Sequence, residues 1–168
     1  HAPGLRWLHE SFRTNWRMLE MQAVIGRIQL QRMAGWTATR TRYAEQIWAA
    51  CRSHSALHVP EVPANVQHAH YKCYAYVRPE QLAAGWNRDR IVAAINALGV
   101  PCYQGSCSEV YMEKAFDGTG WRPAAPLPTA HALGTTSVMF LVHPTLTQAE
   151  VDTTCTAIAQ VMQQATAA

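Results

Sequence analysis

The feature that most constrains this 168-residue chain is a run of apolar residues at helical spacing, from near Asn15 to about Cys51. Met18, Met21, Ile25, Ile28, Arg32 and Trp36 follow one another in steps of three and four, and Tyr43, Ile47 and Cys51 continue the pattern. That period marks one largely apolar face of an α-helix, with Arg32 as its polar interruption. Asn15 suits the N-cap, because its side-chain oxygen can accept from the free amides of a first turn. The helix is long for a globular protein, so a bend is expected at Gly26 or Gly35. Glycine weakens a helix interior by about 1 kcal/mol relative to alanine.

The remaining chain must fold against that helix. Residues 1–14 read as an arm or loop, and its Trp7, Leu8 and Phe12 have two readings: docking on a partner surface or packing on the domain's own core. Residues 53–67, with Pro60 and Pro63, read as a loop. Residues 68–77 alternate as a strand does, placing His70, Lys72, Tyr74 and Tyr76 on one face and Tyr71, Cys73, Ala75 and Val77 on the other. Asn87 caps a helix lined by Ile91, Ile95 and Leu98 and ended by Gly99. Residues 100–103 are extended, at a sheet edge because Pro101 donates no amide hydrogen.

Residues 105–126 form a long loop with at most one short helical turn near 110–115; loops of this length are more often functional or partner-bound than idle. A short helix over 129–133 ends at Gly134. Residues 137–142 are nearly all apolar and read as a strand buried on both faces. Thr147 and Glu150 make a capping box for a last helix, in which Val151, Cys155, Ile158 and Met162 repeat at helical spacing. The expected architecture is α/β: a long N-terminal helix plus about three strands with helices on one face.

A net charge of +3 is too small and scattered to point to nucleic acid, and Arg40 and Arg42 read as a solvated face. No apolar run is long enough to span a bilayer. The five cysteines form no Cys-x-x-Cys pair and read as reduced thiols of a cytoplasmic protein. His68 and His70 share a face but Cys73 points to the other, so no zinc site is expected. His143 reads as a hydrogen-bonded histidine at a strand end.

Several segments carry a resemblance. Arg6-Trp7-Leu8-His9, Asn15-Trp16-Arg17-Met18 and Glu20-Met21-Gln22-Ala23 come first, followed by His70-Tyr71-Lys72, Val100-Pro101-Cys102, Gly105-Ser106-Cys107, Glu109-Val110-Tyr111 and Phe140-Leu141-Val142-His143-Pro144. In this order they resemble the C-terminal part of the DegT/DnrJ/StrS-type sugar aminotransferases, which use pyridoxal phosphate. The resemblance implies the small C-terminal domain of a fold-type I aminotransferase over residues 15–168. The N-terminal, cofactor-binding large domain is not represented in the chain, which therefore reads as a fragment.

It further implies a homodimeric enzyme of amino-sugar biosynthesis. Such an enzyme converts a keto-sugar nucleotide with glutamate or another amino acid as nitrogen donor. Asn15 matches an asparagine that reaches across a dimer interface to the cofactor phosphate, and Arg17 matches an arginine beside the sugar; a plain N-cap at Asn15 and a surface or salt-bridged Arg17 are the other reading. Arg13 stands where family members often have glycine, two residues before that asparagine. Tyr103, Gln104 and Ser106 fall where substrate contacts follow the second strand, and an ordinary strand end is the other reading of these three. The family's catalytic lysine sits in a serine-led, glycine-followed setting. Neither of the two lysines here, Lys72 and Lys114, stands in one. The chain alone is expected to bind no cofactor and to be inactive. A non-catalytic α/β binding or oligomerisation module is the rival reading.

Overall fold

The computed structural model describes residues 16–167. The chain divides into two compact units, residues 1–34 and 35–168. Asn15 and the arm residues Trp7, Leu8 and Phe12 lie outside the described residues.

Helix α1 spans Glu20–Arg52 without interruption at Gly26 or Gly35. It starts later than the expected Asn15 cap. The first helical amide bond runs from Ala23 to the carbonyl of Leu19, which places the cap at Leu19. Leucine has no side-chain acceptor for the first turn, but Gln22 Oε1 reaches back to the Leu19 amide at 2.9 Å. This is the returning half of a capping box, supplied from N3. Within the first unit Met21, Val24, Ile25, Ile28, Leu30 and Met33 are all exposed, so among the described residues the helical period there builds no core.

The second unit holds the core. Tyr43, Ala44, Ile47, Trp48 and Cys51 of α1 are buried. They face a four-stranded antiparallel sheet in the order β1-β2-β4-β3. Its strands are β1 (Leu57–His58), β2 (Cys73–Val77), β3 (Cys102–Tyr103) and β4 (Ser137–Phe140). The expected strands are present, β3 at the edge, and β1 adds a fourth from within the proline-flanked loop. Its two residues, Leu57 opposite Val77 and His58 opposite Tyr76, are too few to show a period.

Along β2, Cys73, Ala75 and Val77 are buried while Tyr74 and Tyr76 are half-buried on the other face, as alternation requires. The strand begins at Cys73 rather than residue 68 because His70 has a φ of 45°. That left-handed turn breaks the extended run and sends His70 inward, where it is 3% exposed, instead of onto the face of Tyr74. β4 is buried at every position, central between β2 and β3.

Helices α2 (Arg88–Ala97) and α4 (Gln148–Ala165) close the core with Ile91 and Ile95, and with Val151, Ile158 and Met162. Asn87 caps α2 by accepting from the Arg90 amide, and Gly99 follows it at φ 78°. Thr147 and Glu150 form a complete capping box on α4. Two long-range hydrogen bonds fix α1 in this layer: Tyr43 Oη donates to the Leu146 carbonyl at 2.7 Å and Trp48 Nε1 to the Tyr74 carbonyl at 2.9 Å. Each fully buried aliphatic side chain contributes roughly 1.5–3 kcal/mol, so the shared core dominates the hydrogen bonds that orient it.

Helix α3 (Pro128–Thr136) runs through Gly134 instead of ending there. Glycine is tolerated because a side chain at 134 would run into Ser108. The packing outweighs the propensity.

Candidate functional site

The face of β2 that carries Tyr74 and Tyr76 is walled by α3 and the loop after β3. Between them lies a cavity of about 660 Å³ lined by Tyr74, Tyr76, Ser106, Leu127, Leu133 and Ser137. Ser106 also lines a second cavity of about 390 Å³ with Gln104, Glu109, Met112 and Gly134. A third, of about 260 Å³, lies between Trp48, Val66, His68, Lys72 and Tyr74. Two tyrosines and a serine thus belong to a shared border.

The loop over 104–127 is held at many points. Its start is tied by Ser137 Oγ, which donates to the Gln104 carbonyl at 2.6 Å, and by Gln104 Nε2, which donates to Asp89 Oδ1 at 2.8 Å. Arg88 sits beneath, its Nη1 donating at 3.0 Å to the carbonyls of both Gly134 and Ser137. Further along are two 3-10 turns, Val110–Met112 and Lys114–Phe116, where at most one helical turn is expected from sequence. Arg122 Nε closes them by donating to the Tyr111 carbonyl at 2.8 Å.

Glu109 joins loop and helix. It accepts from Tyr111 Oη at 2.7 Å and meets His131 Nδ1 at 3.0 Å, while the Leu127 amide donates to Tyr111 Oη at 2.9 Å. The Tyr111 and His131 hydrogen bonds hold the Glu109 carboxyl below its ordinary range.

The expected site residues fall in different places. Tyr103 ends β3 and is 47% exposed. Gln104 follows it on the wall of the second cavity, with its side-chain amide already bonded to Asp89. Arg17 is exposed in the first unit. Sequence reasoning missed Arg88, the Glu109–Tyr111–His131 chain and the environment of Lys72, all of which depend on partners far away in sequence. Only the two-residue spacing of Glu109 and Tyr111 was a local signal.

The buried thiols are poor nucleophiles. Desolvation first, then the neighbouring Cys155 and Cys102, pushes Cys51 up to about 12. Burial likewise pushes Cys102 up to about 12 and raises Cys73 further. Among the described residues no group of three or more His, Cys, Asp and Glu side chains could hold a metal ion, and no helix is long and apolar enough to cross a membrane. His68 and His70 instead contact each other edge to ring, with centroids 4.3 Å apart. His143 Nδ1 meets Thr145 Oγ1 at 2.7 Å in the turn before α4.

The model of the DegT/DnrJ/EryC1/StrS aminotransferase family matches residues 2–159, nearly the whole chain. The chain belongs to this family. Among solved structures, the aminotransferase from Psychrobacter cryohalolentis is 57% identical over 97% of this chain, with a TM-score of 0.85. DesV of S. venezuelae, 19% identical over 94% of the chain, and an aminotransferase of the family from Brucella abortus, 22% identical over 90%, share the fold with TM-scores of 0.79 and 0.70. The chain spans 43%, 40% and 39% of these three proteins, respectively. No curated protein matches it.

The cofactor that the family resemblance implies, pyridoxal phosphate, needs a lysine amine and a cup of phosphate donors. In this member of the DegT/DnrJ/EryC1/StrS family the Lys72 amine donates to Ser106 Oγ at 2.9 Å. Lys114 lies in an exposed 3-10 turn. The described residues do not make a complete cofactor site by themselves.

Proposed function

We propose that this chain forms the small C-terminal domain of a pyridoxal phosphate-dependent aminotransferase that aminates keto-sugar nucleotides in amino-sugar biosynthesis. The observation that carries the reading is the family match over residues 2–159, joined to 57% identity with an aminotransferase of which the chain spans 43%. In this proposal the catalytic lysine and most of the phosphate cup come from an N-terminal large domain. The enzyme works as a homodimer in the cytoplasm, with glutamate or another amino acid as nitrogen donor. The isolated chain binds no cofactor and does not transaminate.

Roles for the chain's own residues follow. Asn15 donates an amide hydrogen to the cofactor phosphate across the dimer interface. Arg17 faces the sugar-nucleotide side, where a guanidinium suits an anionic ligand. Tyr103 and Gln104 meet the substrate from the end of β3. The tie between Gln104 and Asp89 supports a positioned amide, since a side chain already held loses little freedom on binding.

The reading is tested by supplying the lysine-bearing half in trans. The chain is mixed with the N-terminal part of the Psychrobacter cryohalolentis enzyme, pyridoxal phosphate, a keto-sugar nucleotide and glutamate. Amino-sugar formation only in the complete mixture supports the proposal. A chain that assembles with that partner but supports no amination of any keto-sugar nucleotide would instead be a binding or oligomerisation module.

A further inference from the structure

The turn that leads into β2 is held by two histidines. Among the described residues His70 alone of the non-glycines has a positive φ, and the residue is buried. A histidine stays in that conformation only where its surroundings hold it there. One restraint is a hydrogen bond: the His70 amide donates to His68 Nδ1 at 3.0 Å. A ring nitrogen that accepts carries no proton, so this bond leaves the neutral His68 its proton on Nε2. The other restraint is packing, since the His70 ring lies against the rings of both Trp48 and His68. Among the described residues its buried Nδ1 has no hydrogen-bond partner.

Protonation undoes each restraint. A proton on Nδ1 of the exposed His68 replaces the acceptor with a donor, which then faces the donating amide of His70. A proton on His70 places a charge in a buried position beside a second imidazole. Burial first, and then His68, hold the His70 pKa below the ordinary range, while Glu45 of α1 pulls the other way. Glu45 is itself paired with Arg52 at 3.5 Å. The other charged groups at the turn are Glu61 and Lys72, which line the 260 Å³ cavity together with His68. Both protonations therefore oppose the same closed turn.

We propose that residues 68–72 form a pH-operated latch, released when His68 and His70 take up protons and opening the cavity between Trp48, Val66 and Lys72 while the core stays folded. The opening is local because the core does not need the turn. The pairing of β2 with β4 begins at Cys73, and Cys73, Ala75 and Val77 carry the buried face. The release also slackens the tie from Lys72 to Ser106, and with it the hold of β2 on the loop over 104–127. The latch does not depend on the reading of the chain as an aminotransferase.

The test is amide hydrogen exchange of the full chain, followed by NMR between about pH 7.5 and 5.5 and corrected for the intrinsic pH dependence of exchange. A proton taken up only by the open turn multiplies its population by up to about ten for each unit below the ordinary histidine value. Exchange at the His70 amide should therefore quicken about tenfold or more on acidification, relative to β4 and α4. His68→Asn leaves an acceptor that does not titrate in place of Nδ1 and should cut that gain several-fold. With His70→Asn added, which suits the left-handed φ, the acid response should vanish. An unchanged relative rate at His70 in the unsubstituted chain would overturn the proposal, as would loss of protection in β4 and α4 at the same pH. Both are read without any variant having to fold. An undiminished acid response in the folded double variant would overturn it equally.

Discussion

Gly105 lies against the ring of Tyr74, so close that a Cβ on residue 105 would stand 2.5 Å from Tyr74 Cε1. Its φ of 98° is also closed to most side chains. Gly105→Ala should therefore combine backbone strain with overpacking, for a loss of about 2–4 kcal/mol in chemical denaturation. Stability within about 0.5 kcal/mol of the parent would show that the loop and the tyrosine separate easily.

Arg88 reads in sequence as an ordinary first-turn residue of α2, yet it joins three elements through the carbonyls of Gly134 and Ser137. Arg88→Met keeps the length of the side chain and removes the donors. A charged donor to a partly buried carbonyl is worth about 1.5–3 kcal/mol, and a loss of that order is expected in urea. Hydrogen exchange should quicken in α3 before it does in α2 and α4.

The Glu109 carboxylate holds the loop to α3 through Tyr111 and His131. Its folded pKa lies below the ordinary value, so the unfolded chain binds the proton more readily. The contribution is present above the ordinary carboxylate value and is lost as pH falls through the lowered folded one. Glu109→Gln should flatten stability against pH across the acidic range. Profiles that superpose between parent and variant would remove Glu109 from this role.

His70 is buried, and its Nδ1 has no hydrogen-bond partner among the described residues. Its ring lies against Trp48 at 5.1 Å and against His68 at 4.3 Å. Desolvation first, then the neighbouring His68, lowers its pKa, while Glu45 pulls the other way. The unfolded chain thus takes up the proton first, and stability should drop as pH falls from about 6.5 toward the lowered folded value. His70→Asn, which tolerates a left-handed φ, should abolish most of that dependence. Equal slopes for parent and variant in thermal melts between pH 7 and 5 would count against it.

Much of the architecture was legible because it is encoded locally. The Asn87 cap, the Thr147–Glu150 box, Gly99 after α2 and the alternation of residues 73–77 each depend on neighbours a few positions away, where steric and hydrogen-bonding rules act directly. The start of α1 was misplaced because Asn15 is a good cap residue by chemistry, whereas the helix begins where Leu19 supplies the first carbonyl. His70 broke the strand for the same kind of reason. Histidine carries no breaker signal, and only burial beside Trp48 explains its inward turn.

Sequence by itself determined the family, the helix and strand periods, and the absence of a lysine in the catalytic setting, because each is a matter of residue order. Tertiary structure alone decided that Lys72 meets Ser106 and Ser106 meets Tyr74, that Glu109 meets His131, and that Arg88 supports α3 and β4. Those contacts join residues 22 to 49 positions apart, apart from the shorter links within each group. Their energies come from desolvated charges and matched donors, which exist only after the sheet has closed over its core.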